Sequence, residues 1–138
     1  MNIRLPRGMR LLELDSTAST NTVAADCARA GEAEGLVVIA EKQTAGRGRR
    51  GRTFFSPGGT GLYMSILLRP KLPSERAVLL TAAAAVAVCR ALEGLGEAPS
   101  IKWVNDVYLC GKRSAAYSRS PPYLPAARRS TTPSSASG

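Results

Sequence analysis

The chain has 138 residues and a formal net charge of +9 from 19 basic and 10 acidic side chains, which suits one small domain with little stability in reserve. It contains no histidine, which excludes Ser-His-Asp triads, Cys-His dyads, histidine-ligated zinc and imidazole acid–base chemistry. The three cysteines, Cys27, Cys89 and Cys110, are an odd set without metal-ligand spacing, and they read as small buried hydrophobes in a reducing compartment rather than as a disulfide framework.

The N-terminal Met1 to Arg7 segment is basic but lacks the apolar run and cleavage site of a signal peptide. Leu11 to Leu14 then reads as a strand ending in Asp15-Ser16-Thr17, and Ser19-Thr20-Asn21 precedes a helix that runs from Val23 to Ala30 and closes at Gly31. Leu36 to Ala40 is a β-branched run typical of a strand covered on both faces. Glu41 to Gly61 holds six glycines, with four arginines between Arg47 and Arg52, and reads as one long functional loop. Leu62 to Leu68 is a third strand, and Ala77 to Leu95 is a helix. The apolar stretch Ala77 to Cys89 is near 13 residues, too short to span a bilayer, so no membrane partner and a cytoplasmic location are expected. Ile101 to Val104 and Val107 to Leu109 read as short strands flanking Asn105-Asp106, and residues 110–113 as a hairpin turn. No partner strand is expected after that turn. Residues 114–138 hold seven serines, five alanines and four prolines, with no acid, too little apolar surface to offset ordering entropy.

The Gly46 to Thr53 segment satisfies G-x-G-x-x-G and nearly satisfies the phosphate-loop pattern, yet Phe54-Phe55-Ser56-Pro57 cannot open the helix that both motifs require. What remains is anion chemistry: glycines admit backbone N–H groups close to a ligand, and arginines supply planar charge-assisted donors. A run of four arginines is equally a nucleic-acid patch on composition alone. Lys102 to Asp106 reads by itself as an exposed turn with one packed tryptophan, although an Asp beside an Asn can hold Mg²⁺. Ser19-Thr20-Asn21 alone reads as a helix cap.

Together, Ser19-Thr20-Asn21, the run from Glu41 to Arg52, Phe55-Ser56-Pro57-Gly58-Gly59 and the run from Lys102 to Leu109 resemble, in order and spacing, the catalytic domain of biotin–protein ligases. The resemblance covers Leu11 to Arg113. It implies an α+β fold, a mixed sheet with flanking helices related to lipoate ligases and class II tRNA synthetases, incomplete at its C-terminal side. It also implies adenylation of biotin by ATP and Mg²⁺, then acyl transfer to a lysine of a biotin carboxyl carrier protein. On the same basis Ser19, Thr20, Asn21 and Gln43 would contact the ureido ring of biotin and its surroundings. Gly46, Arg47, Gly48 and Arg49 would hold its carboxylate and the adenylate. Lys102, Trp103, Asn105, Asp106 and Arg113 would meet the nucleotide, with Asp106 toward Mg²⁺; Arg47, Arg49, Lys102 and Asp106 would be the catalytic groups.

Three departures follow. Val104 stands where the family usually has proline. Only about ten residues precede the first strand, so no DNA-binding domain is expected. After the Asn-Asp turn the family continues with a lysine and Gly-Ile-Leu-x-Glu, whereas this chain has Arg113 and the Ser/Pro/Ala segment. Read one base out of frame, residues 112–120 are compatible with codons for Lys-Val-Cys-Gly-Ile-Leu-Thr-Glu, so a frameshift near residue 113 is expected. That divides the chain into a partial catalytic domain, 1–113, and a low-complexity tail, 114–138, and implies weak or no activity. The alternative is a small basic nucleic-acid-binding protein using the Arg47 to Arg52 run.

Overall fold

Alternating apolar residues from Leu12 to Leu14 form the inner side of strand β1 (Arg10–Thr17) in the computed structural model, which describes residues 4–47, 53–102 and 106–116. Helix α1 (Thr20–Arg29) follows and leads to strand β2 (Leu36–Arg47), which runs parallel to β1 with Arg10 opposite Leu36 and Thr17 opposite Gln43. A parallel pair needs a crossover connection, and α1 supplies it. The helix buries Ala24 with Leu36 and Val38, and Leu12, Leu14, Val23, Cys27 and Leu67 close around them. All five residues from Leu36 to Ala40 are buried, as expected for a strand covered on both faces.

Two short strands share the other edge of β2. β3 (Thr53–Ser56) pairs antiparallel with its Gln43–Arg47 half, and β4 (Tyr63–Ile66) with its Val37–Ala40 half. The expected loop from Glu41 to Gly61 is therefore corrected: β2 continues to Arg47, and residues 53–56 are strand. Its glycines and charges carry no period-2 signal, but neighbours on both sides satisfy its backbone, so pairing overrides local composition. The register slips between Gln43 and Gly46, a bulge of the kind that re-aims side chains beside functional sites. A Cβ on Gly46 would lie 2.6 Å from Ser56 Oγ and 2.7 Å from the Phe54 carbonyl oxygen, so glycine is required there for space.

A 3₁₀ turn at Ser74–Arg76 leads to α2 (Leu79–Gly94), which packs on a second, antiparallel sheet made of β5 (Ser100–Lys102), β6 (Asp106–Leu109) and β7 (Lys112–Ala116). Ala85, Cys89 and Val107 form its core, with Leu92 and Ala115 packed against them. The β6–β7 turn is tight, with Cys110 at φ 49° and Gly111 at φ 75°, the positive pair that a two-residue hairpin demands.

β7 overturns the expectation that no partner strand follows: it pairs with β6 from Lys112 opposite Leu109 to Ala116 opposite Asp106. Among its described side chains Ala115 carries the apolar contact while Lys112 to Ser114 are exposed, so no periodic pattern marks it in the sequence. Cys110 is also corrected, being exposed; Cys89 is buried, Cys27 is partly so, and all three are free. Among the described residues no helix is long and apolar enough to cross a membrane.

Val38 is fully buried, so Val38→Ala should cost about 2 kcal/mol of unfolding free energy. Gly46→Ala should cost about 1–3 kcal/mol by overpacking. Urea titration measures both, and an unchanged midpoint in either would contradict the packing described.

Candidate functional site

The buried polar residues among those described are Ser19, Thr20 and Ser56, each at most 4% exposed, and all three meet at the N-terminus of α1. Burying hydroxyls in a small apolar core is unfavourable unless they are hydrogen-bonded. Ser19 occupies the N-cap position with extended backbone (φ −162°, ψ 133°), but its side chain makes no capping bond. The cap reading of the Ser-Thr-Asn triplet is therefore corrected for this residue. Capping comes from β2 instead: the Thr20 backbone N–H donates to Gln43 Oε1 at 2.8 Å, and the Thr20 hydroxyl donates to the same oxygen at 3.1 Å. Parallel register explains this reach, because Gln43 lies opposite Thr17, where β1 turns into α1.

The remaining bonds extend the cluster in both directions. Gln43 Nε2 donates to Ser56 Oγ at 3.2 Å, and Ser56 Oγ donates to the Phe54 carbonyl at 3.2 Å. From β4, Ser65 Oγ donates to Thr20 Oγ1 at 2.9 Å and lies 3.3 Å from Asn21 Oδ1. Gly46 packs against Gln43 and Ser56. Ser19, Thr20, Asn21, Gln43 and Gly46 are thus brought together at the carboxyl end of the parallel β1–β2 pair, the end at which sheets of this kind bind ligands.

Sequence reasoning gave no role to four residues that build this site. Ser65 is the polar residue within the apolar run Leu62 to Leu68, a signal that could have marked it. Ser56 follows two phenylalanines. Glu41 accepts the Gly59 N–H at 2.9 Å, and the Tyr63 hydroxyl donates to the Pro57 carbonyl at 2.9 Å, together holding the β3–β4 loop beside the cluster.

A second group lies on the second sheet. Lys102 stands opposite Asp106 in the β5–β6 register, and Arg113 Nη1 is 4.0 Å from Asp106 Oδ1, a long and half-exposed pair that contributes little to stability. Among the described residues no hydrogen bond joins this group to the first, and no three Asp, Glu or Cys residues gather as metal ligands. Arg47 is the last residue of β2. Gly48, Arg49, Trp103 and Asn105 lie outside the described residues.

The chain is 42% identical over 108 residues to the bifunctional ligase/repressor BirA of Bacillus spizizenii, covering 78% of this chain and 33% of that protein. It is 34% identical over 112 residues to the biotin–[acetyl-CoA-carboxylase] ligase of Mycobacterium tuberculosis, covering 75% of this chain and 42% of that one. The chain thus spans about a third to two fifths of the length of these curated relatives. The fold matches a biotin protein ligase from Aquifex aeolicus in complex with biotin and ATP, with a TM-score of 0.61 and 35% identity over 75% of this chain and 43% of that one. Residues 13–115 match the sequence model of the biotin/lipoate A/B protein ligase family, and the chain belongs to that family.

Proposed function

We propose that this chain carries the biotin-recognising part of a biotin–protein ligase, which adenylates biotin with ATP and transfers it to a lysine of a biotin carboxyl carrier protein. The observation that carries the reading is the buried, neutral hydroxyl–amide cluster of Thr20, Gln43 and Ser56 at the strand-to-helix turn. A ureido ring is uncharged and planar, with donors and an acceptor at fixed angles, so a matching site needs neutral directional groups rather than charge. Ser19, Thr20, Asn21 and Gln43 supply them, and Gly46 leaves room for Ser56 to meet Gln43.

The charged half of the reaction falls to other residues. A carboxylate oxygen attacks the α-phosphate and pyrophosphate leaves; like charges oppose that approach, and positioned cations lower the barrier. In this proposal Arg47, Gly48 and Arg49 hold the carboxylate and the adenylate, while Lys102, Trp103, Asn105 and Arg113 face ATP. Mg²⁺ takes one or two carboxylates and completes its shell with phosphate oxygens and water, so the single carboxylate of Asp106 fits an ion that arrives with the nucleotide and neutralises its charge. The carrier lysine amine then attacks the mixed anhydride and AMP leaves. No described bond joins the nucleotide-facing group to the biotin-facing one, and turnover by the 138-residue chain is proposed to be weak or absent.

Binding and turnover are therefore separable. Biotin at a hundredfold excess over its Kd should raise unfolding free energy by about 2.7 kcal/mol, read by thermal denaturation. Gln43→Ala, which removes both the Thr20 cap and the ligand contact, should abolish that gain. Incubation with biotin, MgATP and a carrier domain should give little label on a streptavidin blot. No stabilisation by biotin, together with salt-sensitive retardation of random duplex DNA, would instead favour the nucleic-acid reading of the Arg47 to Arg52 run.

A further inference from the structure

The hydrogen bonds around Gln43 have a fixed direction that follows from chemistry alone. The Thr20 backbone N–H can only donate, so the Gln43 atom 2.8 Å away is the carbonyl oxygen, and the amide cannot be flipped. That oxygen can only accept, so the Thr20 hydroxyl proton points at it, and Thr20 Oγ1 can then only accept from Ser65, whose one hydrogen also has Asn21 Oδ1 within 3.3 Å. At the other end Gln43 Nε2 can only donate, so Ser56 Oγ accepts one of its two hydrogens and gives its own to the Phe54 carbonyl, which can only accept. The result is a one-way relay from β4 through α1 and β2 to β3. It leaves one N–H of a half-buried Gln43 uncommitted within these bonds.

We infer that Ser56 is a positioning residue that holds the Gln43 amide in one orientation, and that Ser65 steadies the Thr20 hydroxyl on the amide oxygen, so that Gln43 offers the ligand a single hydrogen-bond donor and no acceptor. The assignment rests on the biotin reading for the ligand's identity, and the group opposite Gln43 must then be an acceptor, such as a urea carbonyl. Both serines lie on strands that share one edge of β2, Ser65 on β4 and Ser56 on β3. Buried Ser56 is pressed against Gly46, which leaves its hydroxyl little freedom to turn. A ligand that presents a donor at Gln43 would meet the amide hydrogen head-on, so the relay acts on specificity as well as on affinity.

Gln43 is the only glutamine in the chain, so nitrogen-15 labelling of glutamine alone separates its side-chain NH₂ pair from those of the three asparagines in nuclear magnetic resonance. In the full chain without ligand, that pair should be well separated, with one proton exchanging slowly with water. Ser56→Ala should draw the pair toward the position of free glutamine and weaken biotin binding in calorimetry by about tenfold, the effect of one lost net hydrogen bond. Ser65→Ala should leave the nitrogen shift in place and weaken biotin by about threefold, through a looser Thr20 hydroxyl. Ser56→Cys keeps the side-chain branching but puts a larger, weaker acceptor in place of the oxygen; it gives an intermediate shift and serves if alanine unfolds the chain. A folded Ser56 variant with an unmoved Gln43 pair would overturn the assignment even if biotin binds. Ser56-dependent shifts in a chain that binds no biotin would support the positioning role and overturn the ligase reading.

Discussion

The carbonyl oxygen of Gln43 takes two hydrogens from Thr20 at the start of α1, one from the backbone and one from the side chain. A helix begins with four N–H groups that have no partner in the helix, and here the local N-cap side chain is not used. The cap instead comes from a strand 23 residues away. That choice ties the angle of α1 to the register of β1 on β2, because Gln43 reaches Thr20 only while Thr17 stays opposite it. A slip of one residue would turn Gln43 to the other face of the sheet and leave the buried Thr20 groups unbonded.

The rest of the first sheet serves that contact. The apolar half of β2, Leu36 to Ala40, anchors the strand between α1 and β4, and its polar half carries the site. Splitting one edge of β2 between β4 and β3 brings Ser56 to the amide nitrogen of Gln43 and Ser65 to the Thr20 hydroxyl that donates to its oxygen. The bulge between Gln43 and Gly46 brings β3 close enough for Ser56 to reach, at the cost of excluding any side chain from position 46. The packing of the first sheet and the proposed recognition therefore draw on the same few groups, and a substitution among them would disturb both.

Two cores divide the molecule chemically as well as spatially. The first, around Val38 and Ala24, supports neutral, directional donors and acceptors. The second, around Ala85 and Val107, supports a sheet that carries Lys102, Asp106 and Arg113. The separation is not complete, since Arg47 ends the same strand that carries Gln43.

Much of this was legible in the residues. The strand from Leu36 and both helices follow from apolar patterning, which is local, whereas Ser-Thr-Asn and Gln43 were singled out only by the resemblance of their motifs to a known family. The extension of β2 to Arg47, β3 and β7 were not legible, because their residues lack periodicity and are held by backbone pairing with neighbouring strands. Ser56 and Ser65 were hidden for the same reason: a single hydroxyl in a strand has no meaning until pairing shows what it faces. The sequence by itself determined the family, the chemical types at the site and the absence of histidine chemistry, since these depend on residue identity. Only the tertiary structure decided that Gln43 caps α1 and which way its amide points, because direction comes from fixed donors and acceptors that meet through parallel register.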